Sequence, residues 1–137
     1  MKQRESVSHI MSVDLKTVHK KQNLADVNTL METFKIRHVP VVDGEKVIGI
    51  ISRTDLMHVK YGAMKGQEKL QEALLAQMPV EEAMTPTPTT VSSTLPIQDA
   101  GRILNEKDFS ALPVVDQGKL VGMLTSTDLI AYLLAQY

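Results

Sequence analysis

The sequence predicts an α+β fold made of two similar halves, each with the order strand, helix, strand, strand, helix. Two observations predict it. The chain matches itself without a gap at an offset of 73 residues, which lays residues 38–43 on 111–116 and residues 49–56 on 122–129. Each half also places an amphipathic helical pattern before two β-rich runs joined by a short turn. The chain is therefore a tandem duplication of a unit of roughly 55–60 residues.

Each half opens with a short extended piece, Thr17-Val18 in the first and Thr90-Val91 in the second, and continues into a helix. Asn23 can cap the first helix, and Pro96 suits the first turn of the second. The apolar stripes at helical spacing consist of Leu24, Val27, Leu30, Met31 and Phe34 in one half and of Ile97, Ala100, Ile103 and Leu104 in the other.

The β-rich runs are interrupted by Gly-containing turns that predict hairpins. In the first half, residues 39–42 and 47–51 flank Asp43-Gly44, and in the second, residues 112–115 and 120–124 flank residues 116–118. A last helix should begin near Thr54 and another near Thr127, where the Thr can cap and the following Asp lies in the first turn.

A connector joins the halves, with Gly62, Gly66 and Pro79 as breaks and a helix-forming stretch over residues 67–77. The leucines Leu70, Leu74 and Leu75 give this stretch an apolar side. One half alone is too small to bury an adequate core, so we expect the two halves to pack together as one domain. The predicted boundaries are 7–61 for the first half, 62–79 for the connector and 80–135 for the second half.

Composition excludes several classes of protein. The 137 residues include no Cys, carry a net charge of −1 and contain 43% hydrophobic residues. Disulfides and thiolate sites are therefore absent, nucleic-acid binding is disfavoured, and no apolar run approaches the ~18 residues of a membrane span. The four His show no metal spacing, and phosphate-loop or nucleophile-elbow motifs are missing. We expect a cytoplasmic protein that is not an enzyme and requires no cofactor.

Charge is unevenly distributed along the chain. Residues 1–61 carry ten Lys and Arg against seven Asp and Glu, whereas residues 62–137 carry five against nine. The basic half could hold a small anion, or the difference could be ordinary variation in surface charge.

The repeated pattern apolar-Pro-Val-Val-Asp, followed by Gly-apolar-apolar-Ser/Thr-x-Thr-Asp-Leu, resembles a pair of CBS motifs, the module named after cystathionine β-synthase. The leading segments Val7 to Met11 and Val80 to Met84 also fit, so the resemblance covers about residues 7–134. It implies two pseudosymmetric β-α-β-β-α repeats packed as one CBS pair. It also implies a regulatory module that binds adenosyl ligands in clefts between the motifs: AMP, ADP or ATP first, and S-adenosylmethionine less so.

The resemblance implies roles for individual residues. The Asp of each Ser/Thr-x-Thr-Asp segment would bind the ribose hydroxyls, and the neighbouring hydroxyls would bind phosphate. The Thr near the start of the other motif and the backbone around the Pro-Val-Val-Asp strand would line the adenine pocket. One predicted site consists of Ser52, Arg53, Thr54 and Asp55 with Thr90 and Val91, and His38 as a further candidate. The other consists of Thr125, Ser126, Thr127 and Asp128 with Thr17, Val18 and Val39.

Two readings of these residues stay open. A carboxylate suits a vicinal diol and a helix N-terminus suits phosphate, but Thr and Asp are also common capping residues. The two sites also differ, because Lys35, Arg37, His38 and Arg53 in the first half correspond to Asp108, Ser110, Ala111 and Ser126 in the second. We hypothesise that the Asp55 site prefers the phosphorylated nucleotide. Because Arg37 and His38 are adjacent on a strand, only one of them can line the cleft.

The resemblance leaves two functions to weigh. In the first, a stand-alone CBS pair of the bacterial type senses cellular energy through adenine nucleotides and modulates a partner protein in trans. In the second, the chain is a structural homodimerisation module with vestigial, empty clefts, because family members commonly pair through their helices. The last helix carries a wide apolar surface of Leu129, Ile130, Leu133 and Leu134.

Overall fold

The structure, a computed structural model, describes residues 5–63, 67–107 and 110–137, so the predicted break at Gly66 and the residue Asp108 lie outside it. A 3-10 turn at Val7–His9 precedes the regular elements. These are β1 (Val18–His19), α1 (Leu24–Phe34), β2 (His38–Asp43), β3 (Lys46–Ser52), α2 (Arg53–Ala63), α3 (Glu68–Gln77), α4 (Val80–Ala83), β4 (Thr85–Pro86), α5 (Ile97–Glu106), β5 (Ala111–Asp116), β6 (Lys119–Thr125) and α6 (Ser126–Leu134).

The predicted α+β class and the repeated order of elements are confirmed. The first half follows the order β1-α1-β2-β3-α2, and the second follows it as α5-β5-β6-α6. The first strand of the second half is reduced to a single parallel bridge between Val91 and Val114. This bridge is equivalent, at the offset of 73, to the pairing of Val18 with Val41 in the first half.

The chain forms two compact units whose limits differ from those of the sequence repeats. The central unit consists of Lys16–Pro88, and the terminal unit consists of Met1–Leu15 together with Thr89–Tyr137. Each unit thus takes up the opening segment of the other repeat. The boundaries at 7–61 and 80–135 are sequence limits and remain predictions.

The central unit is built on a four-stranded sheet in the order β1-β2-β3-β4. β1 runs parallel to β2, and the other two pairings are antiparallel. One face of this sheet packs against α1 and its neighbours through fully buried side chains that include Val18, Leu24, Val27, Val39 and Ile51. Burial of each such aliphatic side chain contributes about 1.5–3 kcal/mol, which makes this cluster the main source of stability of the unit.

The terminal unit repeats this arrangement in reduced form. β5 and β6 form a hairpin, and the N-terminal segment adds a single antiparallel bridge between Ser12 and Met123. Both hydrogen bonds of that bridge form, at 2.8 Å and 3.0 Å. The equivalent pair in the central unit is Thr85 with Ile50.

Local sequence signals account for the helix start and hairpin turn that were predicted. Asn23 caps α1 in a capping box with Asp26, as expected. Pro96 is the N-cap residue of α5 rather than a residue of its first turn. In the second hairpin, Gln117 and Gly118 both have positive φ (51° and 79°), as a type I′ turn requires.

The connector contains the predicted helix, α3, but its buried face differs from the expected one. Leu75 is buried and Leu74 is half-buried, whereas Leu70 is 49% exposed. Gln71 takes an inward position four residues before Leu75 and is 5% exposed. Residues four apart lie on the same side of a helix, so Gln71 and Leu75 define the face that packs on the unit.

Candidate functional site

The turn between β3 and α2 is closed by a reciprocal pair of hydrogen bonds. The Asp55 N–H donates to Ser52 Oγ at 3.0 Å, and the Ser52 N–H donates to Asp55 Oδ2 at 2.9 Å. This is the capping-box arrangement, with Ser52 before the helix and Asp55 at its third position. The prediction that Thr54 caps this helix is therefore wrong: the helix begins at Arg53, and Thr54 is an exposed residue of its first turn.

The turn between β6 and α6 has the same construction. The Thr125 N–H donates to Asp128 Oδ2 at 2.9 Å, and the Asp128 N–H donates to Thr125 Oγ1 at 3.3 Å. Thr125, with extended backbone at φ −116° and ψ 165°, is the N-cap. The predicted cap, Thr127, lies exposed inside the first turn. The repeat thus preserves the capping box at residues 52–55 and 125–128.

The two carboxylates that were predicted to bind ribose each take part in a helix capping box. Asp55 and Asp128 are half-buried, and the hydrogen bonds described for them use Oδ2 alone. In the part of the chain that the structure describes, the hydroxyls of Thr54 and Thr127 form no hydrogen bond. Each turn therefore presents a second carboxylate oxygen and an unused hydroxyl beside a helix N-terminus, which is chemistry suited to a diol and a phosphate.

His38, another predicted site residue, lies beside the turn at residues 52–55 in the central unit. It is half-buried at the start of β2 and pairs across the ladder with Ser52. Burial lowers the pKa of His38 below its usual value of 6.5; the Asp55 carboxylate acts in the opposite direction, and the Arg37 charge lowers the pKa further. Arg37 itself is exposed and lies just before the strand.

The remaining predicted residues divide into buried and accessible ones. Val18, Val39 and Val91 have side chains in the hydrophobic cores, so only their backbone could meet a ligand. Both backbone groups of Val91 already bond to β5, with Pro113 O as acceptor and the Val115 N–H as donor. Thr17 is half-buried and Thr90 is exposed, so their side chains remain accessible.

The structure groups these residues by compact unit. Thr17, Val18, His38, Val39 and residues 52–55 belong to the central unit, whereas Thr90, Val91 and residues 125–128 belong to the terminal unit. The pairings implied by the resemblance, Asp55 with Thr90 and Asp128 with Thr17, each join residues of different units. They remain predictions.

Sequence reasoning did not single out a pair of equivalent aspartates that fix the ends of the first strands. Asp43 Oδ2 accepts a hydrogen bond from Lys20 Nζ at 2.9 Å. At the equivalent position, Asp116 accepts from the Ser93 N–H at 3.0 Å and from the Ser93 hydroxyl. The repeat could have indicated these contacts, because Lys20 and Ser93, like the two aspartates, are 73 residues apart. These contacts lower the pKa of both carboxyls from the usual value, through Lys20 for Asp43 and through Ser93 for Asp116.

Other features of the described residues do not coincide with the predicted sites. A groove of about 690 Å³ lies among α1, α2 and α3, and its lining includes Asn28, Glu32, Lys60 and Gln71 but none of the predicted site residues. Within residues 5–63, 67–107 and 110–137, no three His, Cys, Asp or Glu side chains cluster in a way that could hold a metal ion.

None of the helices in the described part of the chain combines the length and the apolar character that crossing a bilayer demands.

The chain matches a known protein family along most of its length. The sequence profile of the CBS domain matches the chain twice, at residues 7–62 and 80–135. Over 125 residues the chain is 30% identical to a homoserine O-acetyltransferase of Methanohalobium evestigatum; this alignment covers 90% of the chain but only 23% of that protein. The chain thus spans less than a quarter of the length of that relative.

Two similar solved structures contain adenosyl ligands. The AMP complex of CBSX2, a CBS-pair protein known from Arabidopsis thaliana, is 29% identical, with a TM-score of 0.79 and coverage of 96% of this chain and 97% of that one. The CBS domain pair of MJ0100, in complex with 5′-methylthioadenosine and S-adenosyl-L-methionine, is 25% identical, with a TM-score of 0.77 and coverage of 97% and 98%. The resemblance predicted from the repeated motif is confirmed, and the chain belongs to the CBS-domain family as a tandem CBS pair.

Proposed function

We propose that the chain is a regulatory module that binds an adenosine nucleotide (AMP, ADP or ATP) at the turns 52–55 and 125–128. The observation that carries the proposal is the repeated capping box, in which Asp55 and Asp128 each use Oδ2 to start a helix and keep Oδ1 for another partner. AMP in CBSX2 and two adenosyl compounds in the MJ0100 pair support the class of ligand.

The chemistry of each turn matches the parts of an adenosine nucleotide. A carboxylate oxygen accepts hydrogen bonds from the vicinal hydroxyls of ribose. Hydroxyls at the start of a helix, such as those of Thr54 and Thr127, together with free backbone N–H groups, favour phosphate. The MJ0100 complex makes S-adenosylmethionine the main competing ligand for the same turns.

The proposed role is to regulate a separate protein in the cytoplasm rather than to catalyse a reaction. A ligand controls a partner only if it binds two conformations with different affinity. We propose that adenylate binding changes the population of the conformation that contacts the partner, so that the partner responds to the energy state of the cell.

The test is a thermal-shift series, followed by calorimetric titration, with AMP, ADP, ATP, S-adenosylmethionine and NAD on nucleotide-free protein. A ligand at ~100 times its Kd should add about 2.7 kcal/mol to the free energy of unfolding. Asp55→Asn and Asp128→Asn keep an oxygen that can cap the helix but place an amide where the diol would bind, so each should weaken binding.

A matched control separates ligand binding from capping. Asp26→Asn changes the same capping-box position of α1, where no ligand contact is proposed, and should leave binding unchanged. Equal loss of binding in all three variants, or no shift with any ligand, would contradict the proposed function.

A specific observation favours a second candidate, a homodimerisation module. α6 contains no buried residue, and Ile130, Leu133 and Leu134 are 57%, 44% and 68% exposed. A contiguous group of exposed apolar side chains often marks a surface that contacts another protein. The two roles are compatible, because a dimer can also bind nucleotides.

A further inference from the structure

Two methionines place their sulfur atoms directly on the backbone of strand glycines. The sulfur of Met84 occupies the space that a Cβ would take at Gly49 of β3, and the sulfur of Met11 does the same at Gly122 of β6. Both glycines are buried and have no side chain to separate the sulfur from the main chain. The two contacts lie 73 residues apart, so each repeat builds the same one.

Each methionine comes directly before residues that extend a sheet at its edge. Met84 precedes Thr85 of β4, a strand of only two residues that pairs with β3. Met11 precedes Ser12, whose pairing with Met123 is a single bridge. Because few backbone hydrogen bonds hold these edges, their stability depends on the packing of the neighbouring methionine.

Met11 and Met84 are both half-buried, so a small oxidant can reach them. The chain contains no Cys, so methionine is the side chain that a peroxide attacks first. The sulfur attacks one oxygen of the peroxide, an S–O bond forms as the O–O bond breaks, and the second oxygen leaves as water. The sulfur gives two electrons to the peroxide, and the product is methionine sulfoxide.

A sulfoxide does not fit where the thioether lies. Oxidation adds an oxygen atom to a sulfur that already fills the space over a strand glycine. Both methionines also pack against the hydrophobic core of their unit, where a polar oxygen without a hydrogen-bond donor is destabilising. The oxidised side chain must therefore leave the glycine, and the edge residues that follow it lose this support.

We propose that Met11 and Met84 are sites of reversible S-oxidation by peroxides, and that each sulfoxide releases the following strand edge from its sheet. Because methionine sulfoxide reductases restore the thioether, the edge pairs again after reduction. The stability of both compact units then depends on the peroxide concentration around the protein. The proposed modification goes beyond nucleotide binding and requires no bound ligand.

The test treats the unaltered chain with hydrogen peroxide, locates the sulfoxides by peptide mass spectrometry and measures the midpoint of thermal unfolding (Tm). Oxidation of both methionines should lower the Tm by at least about 3 °C, and methionine sulfoxide reductases should restore it. Met11→Leu with Met84→Leu keeps the apolar volume without an oxidisable sulfur, so peroxide should lower its Tm by less than about a third as much.

A matched control separates these sites from methionine oxidation in general. Met57 is also half-buried, but it lies on α2 rather than before a strand edge. Peroxide should lower the Tm of Met57→Leu as much as that of the unaltered chain. Without peroxide, Met11→Gln with Met84→Gln places polar side chains on both glycines and should lower the Tm, whereas Met57→Gln should change it little.

Hydrogen exchange gives a second readout that needs no variant. The Ser12 N–H donates to the Met123 carbonyl, and the Thr87 N–H, just after β4, donates to the Ile48 carbonyl. Both amides should exchange at least about fivefold faster after oxidation, because the edges that they hold are released.

Three results would overturn the proposal. The first is sulfoxide at Met11 and Met84 that changes neither the Tm nor the exchange of these amides. The second is resistance of both sulfurs to peroxide under conditions that oxidise Met57. The third is an equal loss of Tm in the double leucine variant and in the unaltered chain, which would assign the sensitivity to other methionines.

Discussion

The side chain of Met84 lies against the Cα of Gly49, in the space that a Cβ at Gly49 would occupy. Such a Cβ would be 2.8 Å from Met84 Cγ and still closer to its sulfur. Met11 and Gly122, at the equivalent positions, have the same relationship, with a distance of 2.9 Å to Met11 Cγ. The missing side chain of the strand glycine thus leaves room for the methionine that comes just before the residues paired with that strand.

This packing predicts that Gly49→Ala destabilises the chain by about 1–3 kcal/mol, because the added methyl forces Met84 to move. Gly101→Ala is the matched control. It lies in the middle of α5, where a Cβ would be in ordinary contact at 3.9 Å from Leu129 Cδ1, and removing a helix glycine should stabilise by about 0.5–1 kcal/mol. Urea denaturation of both variants tests the prediction, and a change of the same sign in both would contradict it.

The capping boxes predict which hydroxyls stabilise the helices. Ser52→Ala and Thr125→Ala should each lower the free energy of unfolding by about 0.5–2 kcal/mol, the usual loss for an N-cap. Thr54→Ala and Thr127→Ala, two residues further along and exposed, should change it by less than about 0.5 kcal/mol. Urea denaturation of the four single variants distinguishes the two pairs. If Thr54→Ala lowers the free energy of unfolding as much as Ser52→Ala, Ser52 is not the N-cap of α2.

The same two turns show which structural features could be predicted from the sequence. The repeat, the helical stripes and the hairpin turns predicted the elements, because these signals are local. The cap was misplaced by two residues because Ser52-Arg53-Thr54-Asp55 offers two hydroxyls before one carboxylate. Only the spacing from Ser52 to Asp55 fits the capping box, in which the carboxylate lies at the third helical position.

Other features depend on contacts that no local pattern encodes. The bridge from Ser12 to Met123 spans most of the chain, so the uptake of the N-terminal segment by the terminal unit could not be predicted from either repeat alone. The side chains of Val18, Val39 and Val91 fill the cores, so the prediction that these residues line a ligand site now concerns their backbone alone. Successive side chains of a strand point to opposite faces of the sheet. The sequence did not show which of the two faces is buried in the core.

His38 predicts a pH dependence of stability. Burial lowers the pKa of folded-state His38 below 6.5, so the unfolded chain binds more protons between that lowered pKa and 6.5. Above pH 6.5, His38 is neutral in both states and does not reduce the free energy of unfolding. As the pH falls from 6.5 to the lowered pKa, the free energy of unfolding decreases. His38→Gln should lose less stability than the unaltered chain between pH 7.5 and 5.5, as measured by urea denaturation at each pH.

The exposed residue His58 provides the control for loss of an imidazole. His58→Gln should follow the pH profile of the unaltered chain, because its side chain lies at the surface of α2. Identical pH profiles for His38→Gln and the unaltered chain would show that burial does not destabilise the charged form of His38.

The outer face of α6 predicts self-association. Ile130 and Leu134 are more than half exposed, whereas the equivalent helix α2 carries polar residues such as His58 and Lys60 on its surface. If α6 faces a second copy, light scattering should give twice the mass of one chain. Ile130→Glu with Leu134→Glu should restore the single mass, because a dimer would then bury unpaired charges.

The matched control for this variant is Tyr61→Glu, at the position of α2 that corresponds to Leu134. Tyr61 is 52% exposed, so a charge there is also accessible to solvent, but over residues 53–61 no other large apolar side chain of α2 is exposed. The mass should therefore remain that of a dimer. A single-chain mass for the unaltered protein at micromolar concentration would contradict dimerisation through α6. Loss of the dimer in Tyr61→Glu alone would instead assign the interface to α2.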